Sequence, residues 1–263
     1  MTYGWAILII AIVMIALFQL GIFNQQDPRI TAGACEVYHG NNVGECQGVW
    51  PQFVAQFNGQ NADITISNTP EVSTNSFTWS IWISPNSWPS DNNGVFGESS
   101  INTGAPYMIE QGSPSSPILQ FSNTGGGVSS VYAPILINTW QNVVGTYNYA
   151  TGVIAIYVNG KLVQSATSSP LIRYSVPIYV GDFSSAYFNG RISNVQIYNT
   201  SLSQSEITTL YQEGIGGAPI APNYLVGWWP LNGNAQDYSG NNNQGTAVSV
   251  AYNSSWTSGY VQP

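Results

Sequence analysis

The sequence predicts a mainly β head, a two-sheet antiparallel sandwich, carried on a long hydrophobic N-terminal α-helix. Three observations predict it. From Trp5 to Phe23 nineteen residues run in which only Gln19 and Gly21 are not plainly apolar, and no charge occurs before Asp27. Beyond that run the chain is rich in Ser, Thr, Asn, Gly, Tyr and Trp. Short apolar-aromatic runs then recur, each bounded by Gly, Pro, Asn or Ser, as strands and their turns require.

Residues 1–26 form the helical stalk. At about 1.5 Å per residue the apolar run is roughly 28 Å long, close to the hydrocarbon thickness of a bilayer. A cleaved secretory signal fits poorly: no basic n-region precedes the run, and the small-residue site Ala32-Gly33-Ala34 lies well beyond its end. A single-pass anchor and a helix packed among copies of itself both fit, because lipid and a sheath of apolar helices are equally dry. Either way Trp5, Ile7, Leu8, Ile10, Val13, Met14, Leu17, Phe18, Leu20 and Phe23 are the side chains to be buried.

Residues 27–49 are a neck. Ten residues lie between Cys35 and Cys46 in a Gly/Asn-rich stretch, and a disulfide between them would close a loop worth roughly 3 kcal/mol. The alternative, a metal site using His39, lacks zinc-ligand spacing.

Residues 50–214 carry the expected strands: Phe53–Phe57, Phe77–Ile83, Pro117–Phe121, Trp140–Tyr147, Val153–Val158, Ile178–Val180 and Arg191–Tyr198. Asn159-Gly160 marks a tight hairpin, since its turn needs positive φ. Ser203-x-x-Glu206 is a capping box that opens a helix, and Glu213-Gly214 closes it. Residues 215–263 comprise a Gly/Pro-containing linker and strands expected to complete the same sandwich. Their donation to a neighbouring subunit is the other arrangement considered.

Composition bears on function. Charged residues make up 6% of the chain, and four Lys/Arg against twelve Asp/Glu give a net charge of −8. That argues against a nucleic-acid partner and for an extracellular or cell-surface address. No catalytic constellation emerges. Glu98 and Glu110 stand isolated in loop-like sequence, Asp182 and Asp237 sit in turns, and the single histidine lies between the cysteines. The chain therefore reads as a non-enzyme requiring no cofactor. Trp88 with Asp91 and Asn92 offers a flat ring beside polar groups, a pattern suited to a sugar. Asn199-Thr200-Ser201 and Asn253-Ser254-Ser255 are glycosylation sequons.

Two resemblances add to this reading. Tyr3-Gly4-Trp5-Ala6-Ile7-Leu8-Ile9-Ile10, continuing through Leu17-Phe18-Gln19-Leu20-Gly21-Ile22-Phe23, resembles the N-terminal helix of archaeal type IV pilin-like proteins. The Glu often found near the start of that helix is missing here. This resemblance implies a helix held in the membrane before assembly and then bundled into a filament core with copies of itself.

Phe57–Asp63, Phe77–Pro85, Trp140–Tyr147 leading to Ile156–Lys161, and Phe188–Asn199 followed by Leu202-Ser203 and Glu206-Ile207 resemble, in order, the blocks of a concanavalin A-like, laminin-G-type jelly roll. Leu225–Leu231 and Asp237–Asn241 resemble a strand and loop that usually open that fold; here they close it. This resemblance implies calcium ligation at Asp182, Asp237 and Asn241. Taken together, the two imply a structural subunit of a type IV pilus-like filament with a lectin-like head outward, mediating surface adhesion to glycans. The alternative is a single-pass, membrane-anchored, glycan-binding surface protein.

Overall fold

Side chains alternate across a strand, and the pairing partners decide which face is inside. The computed structural model describes residues 29–32, 35–38, 51–67, 76–88, 93–98, 106–123, 129–168 and 177–263, with backbone alone over 29–32 and 35–38 and at 123 and 129. The stalk lies outside the described residues, and with it every filament-core side chain from Trp5 to Phe23. Cys46, Asp91 and Asn92 lie outside them too, and of Cys35 only the backbone is described.

The first strands, β1 (Arg29–Ala32) and β2 (Cys35–Tyr38), pair antiparallel with each other. The head follows with β3 (Val54–Asn58), β4 (Asp63–Ile66), β5 (Phe77–Pro85), β6 (Gly94–Glu98), β7 (Tyr107–Ser113), β8 (Ser116–Asn123) and β9 (Ser129–Pro134). Next come β10 (Gln141–Asn148), β11 (Val153–Val158), β12 (Lys161–Thr167), β13 (Ile178–Val180), β14 (Asp182–Phe183), β15 (Ala186–Tyr187) and β16 (Asn189–Tyr198). Helix α1 (Gln204–Gln212), β17 (Leu225–Trp229), β18 (Gly245–Val248) and β19 (Ala251–Asn253) complete the chain.

One sheet has the order β12-β11-β10-β5-β16-β3-β19, with β17 also on β16. The other has the order β18-β4-β13-β6-β7-β8-β9, with β14 and β15 attached beside β6. Between them lies an aromatic core in which the Trp79 ring meets Phe96 at 4.8 Å and Phe77 meets Phe121 at 6.2 Å, both edge to face. The result is a two-sheet antiparallel sandwich of jelly-roll type.

Strand β5 shows why some runs read as continuously apolar. All nine of its residues are buried. Phe77, Trp79, Ile81 and Ile83 enter the central core, while the alternate residues face a second layer. That layer has two parts. α1 buries Ile207 and Leu210 with Val144 and Tyr198. The C-terminal tail seats Trp256 among Trp82, Trp140 and Ile215. Arg191, 8% exposed, binds the tail: its guanidinium donates to the carbonyls of Trp256 at 3.1 Å and Ser258 at 3.3 Å, and to Ser84 Oγ at 2.9 Å. The Trp140 ring lies 5.4 Å from the guanidinium carbon.

The local signals operate as the sequence implied. Asn159 and Gly160 take φ of 50° and 74° at the β11–β12 turn. Both halves of the Ser203/Glu206 capping box form. Ser203→Ala is therefore expected to lower stability by about 1 kcal/mol, read as a small fall in melting temperature.

The C-terminal strands pair within this chain. β17 lies on β16, β18 on β4 and β19 on β3. The chain thus crosses from the edge of one sheet to the edge of the other at Ser249, which takes φ of 53°.

Candidate functional site

The registers place a row of residues directly opposite one another across the second sheet: Thr246, Thr65, Tyr179, Gly97, Tyr107, Ser122 and Ser130. Their strand neighbours Ile64, Ile66, Ile178, Val180, Phe96, Met108, Phe121 and Val131 all enter the core. The row therefore stands on the sheet's outer face, and it consists of hydroxyls and rings around one glycine.

The middle of this face is closed. Tyr107, Ile109 and Phe183 form a small buried cluster, with the Tyr107 and Phe183 rings 4.9 Å apart. Gly94 permits this, because a Cβ there would run into the backbone of Asp182 and Phe183. Beside the cluster, Gln120 Nε2 donates to Ser130 Oγ at 2.9 Å, and the Ser122 and Ser130 hydroxyls are 3.1 Å apart.

The β18–β4–β13 end is open. Thr246 is exposed, and Thr65, Tyr179 and Tyr187 are half-buried. Asp63, the first residue of β4, accepts a hydrogen bond from Thr65 Oγ1 at 3.0 Å. Asp182 is paired with Tyr187 across β14–β15. Burial pushes the Asp182 carboxyl above its ordinary range; backbone donors at Ser185 and Phe183 oppose the rise, and the Asp63 charge adds to it. Its Oδ1 is buried without a hydrogen-bond partner. The patch thus offers two rings, two hydroxyls and two acceptors, with no cation among these residues. Ring faces can cover the apolar side of a sugar while carboxylates and hydroxyls bond its hydroxyl groups.

Of the residues singled out from sequence, only Asp182 belongs to this patch. Trp88 is a core side chain, 1% exposed, with its indole N–H donating to the Gln111 carbonyl. The expectation that its ring stacks on a sugar gives way, since neither face meets solvent. Asp237 and Asn241 stitch the loop after β17. Asp237 accepts from the amides of Trp228, Ser239 and Asn243 at 2.8–3.0 Å. The Asn241 amide donates to the carbonyls of Leu225 and Val226.

These positions also bear on the calcium expectation. Gly245 lies opposite Ile66 and Val248 opposite Asp63, so the Asp237 loop and Asp182 sit at opposite ends of β4, roughly 10 Å apart. Calcium needs about 6–8 oxygens around one centre. Asp182 therefore stands apart from Asp237 and Asn241 along β4. Among the described residues no three His, Cys, Asp or Glu side chains gather as a metal cluster.

Glu98 and Glu110 correct the loop reading. Both are in strands, 0% exposed, and both point inward: Glu98 lies opposite Ile178, and Glu110 opposite Leu119. They stand near opposite ends of β6, and neither faces a substrate-accessible surface. Burial pushes the Glu110 carboxyl up to about 8, against a hydrogen bond from Asn93. Of the sequons, Asn199 follows β16 with its N–H on the Tyr224 carbonyl. Asn253 ends β19, its Oδ1 accepting from the Ser255 amide at 2.7 Å.

Sequence reasoning missed Asp63, Thr65, Tyr179, Tyr187 and Thr246. The signal was available for the first two, since Asp63-Ile64-Thr65-Ile66 alternates in the strand period.

Comparison with known proteins agrees with this architecture. The Laminin_G_3 family profile, described as the concanavalin A-like lectin/glucanases superfamily, matches residues 58–208. That match begins beyond the N-terminal segment and does not bear on the pilin resemblance. Curated protein sequences give no match. A Bacteroides ovatus protein provisionally described as carbohydrate-binding superposes with a TM-score of 0.60 at 20% identity, over 77% of this chain and 60% of its own. The SAP-like heptameric pentraxin of Limulus polyphemus gives 0.51 at 15% identity, over 64% of this chain and 85% of its own. Domain 4 of AbnA, an extracellular arabinanase of Geobacillus stearothermophilus solved with arabinotriose, gives 0.50 at 18%, over 71% and 86%. At such identities these likenesses speak for fold alone. The family match spans more than half the chain and coincides with the sandwich, so the chain belongs to the concanavalin A-like lectin/glucanase superfamily.

Proposed function

We propose that the head is a glycan-binding domain and that the sugar seats on the open end of the outer face, against Tyr179 and Tyr187. The observation that carries this reading is that the half-buried Tyr179 stands in one outward row with Thr65 and Thr246, with Asp63 two residues along the same strand and Asp182 paired with Tyr187. The arabinotriose complex of the similarly folded AbnA domain supports it by analogy of fold. With acceptors and no cation among the described residues, the patch suits neutral sugars and repels anionic ones. On this reading the apolar N-terminal segment holds the head outward, from a membrane or from a filament of copies. Electron microscopy of sheared surface material distinguishes those two.

The test is a panel of immobilised neutral and anionic glycans. A saturable neutral ligand is expected, and Tyr179→Ala should weaken it by about tenfold, equivalent to ~1.4 kcal/mol, with the melting temperature unchanged. Binding that survives Tyr179→Ala intact would remove the site from this face. No binding across the panel would remove the function.

A further inference from the structure

We propose that residues 225–263 are an exchangeable segment, able to seat on a second copy of this chain as they seat on their own. β17, β18 and β19 pair with β16, β4 and β3 and not with one another. Every ladder hydrogen bond of these strands is therefore made to residues before 199. The segment also places Trp229 and Leu231 in the central core and Trp256 in the outer layer, where Arg191 binds the carbonyls of Trp256 and Ser258. A surface that holds its donor through main-chain ladders, ring seats and one guanidinium offers the same contacts to the identical segment of a neighbour.

The two arrangements differ only in the connection after α1. In the closed chain it folds back tightly. Gly214 takes φ of 80°, the Gly217 amide returns to the Gly214 carbonyl at 3.0 Å, and a Cβ at Gly217 would run into Glu213. One further feature opposes this compact turn. The Glu213 carboxyl is 4% exposed, with Oε2 lacking a hydrogen-bond partner. Extended, residues 214–223 reach up to about 34 Å, enough to cross to a neighbour and return Glu213 to water. Loop-closure entropy favours the closed monomer when copies are dilute. Crowding raises the concentration of neighbouring copies and so favours exchange, as on a densely populated surface.

Thr65 and Thr246 lie directly opposite across β4 and β18, one on each side of the exchange. Full-length chains carrying Cys35→Ser and Cys46→Ser receive either Thr65→Cys or Thr246→Cys. The two are mixed, unfolded and refolded together over a range of concentrations, oxidised and separated on a non-reducing gel. A covalent heterodimer that grows with concentration, above the background of either chain alone, is the expected result. Adding Glu213→Gln to both should reduce it. The double variant Thr65→Cys/Thr246→Cys shows whether the pair can close. Closure within one chain at every concentration, with no heterodimer from the mixture, overturns the proposal. Should the double variant not close, light scattering decides: wild-type protein that refolds only as monomer at every concentration overturns it equally.

Discussion

Trp229→Ala is expected to destabilise the head by about 3–5 kcal/mol, enough to lower its melting temperature by many degrees. Trp229 is 0% exposed in the central core, and its indole donates to the Asn243 carbonyl at 2.9 Å. The substitution leaves a cavity between two sheets that cannot move together, because β17 is held on β16 at Val195, Gln196 and Ile197. It also leaves the Asn243 carbonyl without its indole donor. Denaturant unfolding followed by fluorescence measures the loss. A cost below about 1 kcal/mol would mean that the C-terminal segment is an appendage and not part of the core.

Glu110 gives the second large effect. Its carboxyl is pushed from the ordinary 4.5 up to about 8, because burial disfavours the anion more than the Asn93 amide stabilises it. A raised folded-state value means that stability is fully present below about pH 4.5. It is lost as pH rises toward 8, where the folded protein must ionise an interior group. At 1.36 kcal/mol per pH unit the loss is on the order of 5 kcal/mol once ionisation is complete. Asp182 and Glu213, also raised by burial, act in the same direction. Glu110→Gln should therefore be more stable than the parent at pH 8, similar to it at pH 4, and should flatten the slope without abolishing it. Equal melting temperatures for the two proteins at pH 8 would refute the inward placement of this carboxylate.

Local signals were legible wherever a short stretch determines its own shape. Asn159-Gly160 turns because its backbone tolerates positive φ, and Ser203 with Glu206 starts α1 because each side chain satisfies the other's free amide. Runs such as Ile178–Val180 and Val153–Val158 match their strands residue for residue. Strands that mix glycine or acid with apolar residues, such as Gly94–Glu98 and Tyr107–Ser113, were not legible. Their burial comes from neighbours supplied by distant parts of the chain, and composition there points toward loops.

The same reason divides the site. A tryptophan in a Pro/Asn-rich stretch has the composition of a sugar platform, yet Trp88 is drawn into the core because Gln111 offers its indole a carbonyl there. Tyr179 and Thr246 carry no motif. They become a surface because β13 and β18 both flank β4, strands between 62 and 248 in the chain. By itself the sequence determined that this protein has an antiparallel sandwich head, because periodicity, turn chemistry and family blocks are local properties that survive any arrangement of the rest. Which residues share a face was decided by tertiary structure alone: a register shifted by one residue would turn Thr65 and Tyr179 inward and Ile64 and Val180 outward, and only long-range pairing sets that register.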